Sequence, residues 1–250
     1  MEKKNNSAGR LWGILGQISK TGGNTNMLKA WMAVLRIGNI DQKKAPFEIA
    51  RKIDLLQDEL IEARREMQKK HYSEDIYSVG FEAAEAILQM GAIYGNIDSY
   101  RNHLTPEALK ALKFVAETIP DDEDEVTPEQ LSELQAEIDR LREKIESGDL
   151  PSNVKLFIYK QIAIIENAIR DYSIVGAKAF KTAFDEALPD IAMNKEDIAE
   201  YAETEEIKTL GTIWDKAIQY GGNAFKYGSY AATAVKVIET VIKITGYLNP

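Results

Sequence analysis

The stretch from Ser152 to Leu188 constrains the fold more than any other, because it is apolar along two lines at helical spacing. Ile158, Ile162, Ile165, Ile169, Tyr172 and Gly176 form one seam, and Phe157, Ile164, Ala168 and Val175 form a second. A helix that is apolar on two sides belongs inside a bundle. No run of alternating apolar and polar residues with hairpin turns competes with it along the chain. The sequence therefore predicts an all-α fold, a multi-helix bundle of about eight or nine helices with this long helix at its centre.

Other segments repeat the pattern. Pro46 opens a helix to Lys70 in which Ile49, Ile53, Leu56, Leu60, Ala63 and Met67 keep a heptad seam. Leu131, Leu134, Ile138, Leu141 and Ile145 keep another, closed by Gly148. The short link before Ser152 predicts an antiparallel helical hairpin, with this second seam packed on its own partner rather than in an intermolecular coiled coil. Thr105-Pro106-Glu107 and Thr127-Pro128-Glu129 are two helix starts, each with Thr as cap and Pro in the first turn. Further helices are expected at Gly9–Ser19, Met27–Ile37, Glu74–Tyr100, Ile191–Ala202, Lys208–Lys226 and Ser229–Leu248. Small residues in the Glu74–Tyr100 segment (Gly80, Ala83, Ala84, Gly91, Gly95) would let another helix approach closely.

Charge divides the chain. Residues 121–147 hold eleven acids against three bases, whereas the first forty residues hold six bases against one acid. From Ile207 on, five lysines face two acids. The organisation expected is basic, glycine-rich N-terminal helices over 1–45 and a helical region over 46–120. An acidic loop, the hairpin and C-terminal helices follow over 121–250, continuous with the rest of the bundle. The basic ends are too dilute for a duplex-binding face, so nucleic acid is not an expected partner.

Ser229–Leu248 is twenty residues long, near the length of a bilayer span, yet carries Lys236, Glu239 and Lys243 on one face. Three charges at mid-bilayer cost roughly 8–10 kcal/mol, against about 2–4 returned by its Val, Ile and Leu residues. An amphipathic bundle helix is the better expectation. Attachment of the basic ends to an anionic membrane is the conditional alternative. The first twenty residues lack a continuous apolar core and predict no secretory leader.

The chain has no cysteine, which removes disulfides, thiolate metal sites and cysteine nucleophiles. No Walker A, G-x-G-x-x-G, G-x-S-x-G, H-E-x-x-H or EF-hand pattern occurs, so no cofactor or metal is expected. One constellation bears on chemistry. "RREMQKKH" sets Arg65 six positions before His71. It resembles the R-x4-6-H motif of HEPN ribonucleases, small all-helical enzymes of prokaryotic defence. The resemblance implies His71 as acid or base and Arg65 as the group holding the scissile phosphate. Separately, "LPSNVKLFIYKQIAIIENAIRDYSIVGAKAF" (Leu150–Phe180) resembles a segment of uncharacterised helical proteins from bacterial mobile and defence regions. That resemblance implies context and a helical fold.

The function expected is that of a non-enzymatic, cytoplasmic helical interaction protein in a bacterial or phage conflict system. Its partner is expected to be a protein, with self-association through helical surfaces as a further option. The expected partner-binding residues are Asp121, Asp122, Glu123, Asp124, Glu125, Glu133 and Glu137. A membrane-perturbing effector and a HEPN-like ribonuclease are the alternatives.

Overall fold

A computed structural model describes residues 4–22, 25–38, 43–121 and 125–222. Among them the chain is all-α, with eleven α-helices, two short 3₁₀ turns and no strand beyond an isolated bridge between Asn26 and Asn96. The expected helix at Ser229–Leu248 lies outside the described residues, as do Asp122, Glu123 and Asp124. The chain forms two compact units. The first comprises Met1–Asp122 with Ser173–Val175, and the second Glu123–Tyr172 with Gly176–Pro250.

In the first unit, α1 (Ser7–Ser19), α2 (Met27–Val34) and α3 (Ala45–Gln68) precede α4 (Ser78–Ile87), the short α5 (Ile97–Arg101) and α6 (Pro106–Thr118). The terminal helix α1 packs chiefly on α6 and α3, and α4 packs on α6. The α3 seam is buried along its whole length, from Ile49 to Met67, beside Leu11, Leu15, Trp31 and Phe81. Thr105 caps α6 by accepting from the Ala108 N–H at 3.2 Å. Gly80 is where α4 meets α6 backbone to backbone, since a Cβ there would lie 2.9 Å from the Leu112 nitrogen.

The segment read as one helix over Glu74–Tyr100 is broken instead. A 3₁₀ turn at Glu74–Ile76 precedes α4, and another at Met90–Tyr94 precedes α5. Asn96 starts α5 afresh by accepting from the Asp98 N–H at 2.8 Å. Gly95 serves a turn, not a helix contact, with the Tyr100 ring where its Cβ would be.

The second unit contains α7 (Pro128–Ser147), α8 (Ser152–Val175) as far as Tyr172, α9 (Lys178–Met193), α10 (Lys195–Glu200) and α11 (Glu205–Gly221). Here α11 packs on α7 and α9, with Trp214 edge-on to Phe184 at 5.6 Å. The long helix expected over Ser152–Leu188 is two helices. Gly176 has φ 64°, a left-handed value, and its N–H closes the end of α8 on the Tyr172 carbonyl at 2.8 Å. The small residue that looked like part of a packing seam is the glycine that ends the helix. α9 then runs through Pro189 to Met193, past the expected stop. α11 starts earlier than Lys208, because Thr204 accepts from the Ile207 N–H at 3.5 Å.

Candidate functional surface

α7 is built by its two ends and one seam. Thr127 and Gln130 form a reciprocal capping box, with Pro128 in the first turn. Leu134, Ile138, Leu141 and Ile145 are wholly buried, while Leu131 is half-buried. Burial of four such side chains stabilises the helix by about 1.5–3 kcal/mol each. The remaining residues divide into flanks and an outer face, and they do different work.

The flanking residues bind neighbouring helices. Arg142 donates to Glu166 of α8 at 2.8 Å, and Gln135 donates to the same carboxylate at 3.1 Å. On the other flank, Lys216 of α11 reaches Glu137 at 2.6 Å and Glu133 at 3.0 Å. Lys144 reaches Glu205 at 2.9 Å. The two carboxylates, Glu137 foremost, hold the Lys216 ammonium above its ordinary range. The bond from Lys144 holds the Glu205 carboxyl below its own. The hydrogen bond to Glu166 raises Arg142 in the same manner.

The outer face is otherwise. Glu129, Asp139, Glu143 and Glu146 are exposed and have no ion-pair partner among the described residues, and Glu125 stands exposed just before the helix. Arg140 is the cation interspersed on this face. Glu129 and Glu143 sit two heptads apart on one line, and Asp139 and Glu146 one heptad apart on the next. Carboxylates at these spacings project from the same side of a helix.

The expected partner-binding residues therefore separate. Glu133 and Glu137 are held within the unit by Lys216, so they are fold contacts first. Asp121 belongs to the first unit, where it accepts from the Asn5 N–H at 2.9 Å. Glu125 is exposed. The sequence places Glu129, Asp139, Glu143 and Glu146 on the acidic Asp121–Glu146 surface expected to face a partner but does not single them out, although the heptad contains the signal. Positions opposite a buried seam face water, whereas those beside it meet neighbouring helices.

Arg65 and His71 are both exposed. Arg65 pairs with Glu62 at 2.6 Å and lines a shallow groove of about 240 Å³ with Leu60, Ile61, Arg64, Gln68 and Glu85. His71 lies on the segment after α3 and is not among the residues lining that groove. Among the described residues, no group of three or more His, Asp or Glu side chains is placed to hold a metal ion. No described helix is long and apolar enough to cross a membrane. Comparison with protein-family models, curated proteins and solved structures finds no match.

Proposed function

We propose that this protein is a non-enzymatic helical interaction module that binds a basic protein surface through the outer face of α7. One observation carries the reading. α7 has its seam buried and its flanks paired, yet Glu129, Asp139, Glu143 and Glu146 are exposed and form no ion pair among the described residues. A face of exposed carboxylates on a well-anchored helix steers a cationic partner and fixes its register. The cytoplasm of a bacterial host under phage or mobile-element conflict is the proposed setting, supported by the resemblance of Leu150–Phe180.

The test is capture of partners from such a host by the full chain and by a Glu129→Lys, Asp139→Lys, Glu143→Lys, Glu146→Lys variant. The wild type is expected to retain a basic partner whose capture weakens as salt rises, and the variant to lose it. Equal capture by both chains overturns the reading.

A further inference from the structure

The chain leaves the first unit at two places, past Asp121 and across Ser173–Val175. The first turn of α1 holds both. At the first exit, the Asn5 N–H donates to Asp121 at 2.9 Å and the Lys4 ammonium at 3.4 Å. The Asn6 amide donates to the Ala116 carbonyl at 2.9 Å and the Ile119 carbonyl at 3.2 Å, at the end of α6. Its oxygen meanwhile accepts from the Gly9 N–H at 2.9 Å, so one buried side chain caps α1 and ties down the chain that leads to Asp121.

At the second exit the donor is Arg10, which is only 4% exposed. Its Nε donates to the Ile174 carbonyl at 3.0 Å, and its guanidinium is bonded to Glu59 of α3, with Nε to Oε2 at 2.9 Å. The Ile174 carbonyl lies in the last turn of α8, where carbonyls have no acceptor role within their own helix. A guanidinium also suits the negative end of a helix. The Ile174 side chain is fully buried in the first unit's core. The two pins touch, since Arg10 Nη1 lies 3.5 Å from Asn5 Oδ1. Gly9 makes the arrangement possible: a Cβ there would lie 2.2 Å from the Lys4 carbonyl oxygen.

We propose that the Asn5–Arg10 turn is a clasp that fixes both chain exits of the first unit together, so that lifting it frees the two at once. Two pins in contact through Asn5 and Arg10 make one cooperative device rather than two separate contacts. Anything that draws this turn away from α3 and α6 changes the freedom of both connections to the second unit in one step.

Hydrogen exchange on the full chain tests this. The reporters are the Ile119 amide, bonded to Val115 O at 3.0 Å, and the Gly176 amide, bonded to Tyr172 O at 2.8 Å. The Leu88 amide at the end of α4, bonded to Ala84 O at 2.9 Å, is the control. Gly9→Ala disturbs the first pin. The double variant Arg10→Met, Glu59→Leu removes the second by deleting both charges of the pair together. Each is expected to speed exchange at both Ile119 and Gly176 roughly tenfold or more, with Leu88 still protected. Exchange that rises only beside the altered pin, or at neither reporter, overturns the clasp. Loss of Leu88 protection in one variant leaves the decision to the other. Its loss in both also overturns the clasp, because the turn is then an inseparable part of the core.

Discussion

The first turn of α1 and the helix α7 place charge in opposite ways. In α1, Arg10 is taken inside, where its Nε–H is shared between Glu59 and the Ile174 carbonyl. In α7, the core is purely apolar and charge is arranged in rings around it, paired on the flanks and unpaired on the outside. The contrast shows that an acid's identity says little about its use. Glu59 is structural because of what surrounds it, Glu137 is a surface tie, and Glu143 is exposed with no ion pair among the described residues.

The largest effect is expected at the buried pair of Arg10 and Glu59. Glu59→Ala leaves the Arg10 guanidinium without its carboxylate in a site nearly closed to water, and is expected to cost about 3–5 kcal/mol in denaturant unfolding. The Arg10→Met, Glu59→Leu double variant should cost much less. If the single and double variants fall together, the pair is not what makes the site costly to disturb.

In α7 the largest effect belongs to the seam. Leu141→Ala is expected to cost about 2–5 kcal/mol, because the side chain is wholly buried between helices. A loss under about 1 kcal/mol would show that the seam is not closed in solution.

The smallest effect belongs to the flank. Lys216→Met should cost about 0.2–1 kcal/mol near neutral pH, as for other partly exposed pairs. The sign of its pH dependence follows from the raised Lys216 pKa. The stabilisation is fully present below the ordinary lysine value of 10.5 and disappears as pH rises through the higher folded-state value. The difference between wild type and variant should therefore shrink only in strong alkali. A difference that shrinks between neutral pH and pH 10 would contradict the assignment of the two carboxylates as its cause.

Periodicity made the α3 and α7 cores legible, because a seam of Ile, Leu and Met is a local property that the helix turns to one side. The starts at Thr105 and Thr127 were legible for the same reason: a cap acts within four residues. The break at Gly176 was not, since a glycine continues a small-residue seam and ends a helix with equal ease, and only φ distinguishes the two. The clasp was invisible for a different reason. Arg10 looks like a solvated residue at a helix start, while its partners Glu59 and Ile174 lie 49 and 164 residues away. On α7, the acids were visible but their division was not, because Lys216 lies 79 residues from Glu137.

The most direct test sets two variants side by side in stability and in partner capture. One reverses the outer quartet Glu129, Asp139, Glu143 and Glu146 to lysine, and the other neutralises the flank as Glu133→Gln, Glu137→Gln. The account predicts that the outer variant unfolds at the denaturant concentration of the wild type but captures no basic partner, while the flank variant is less stable and still captures it. Capture lost in the flank variant and kept in the outer one would contradict the account.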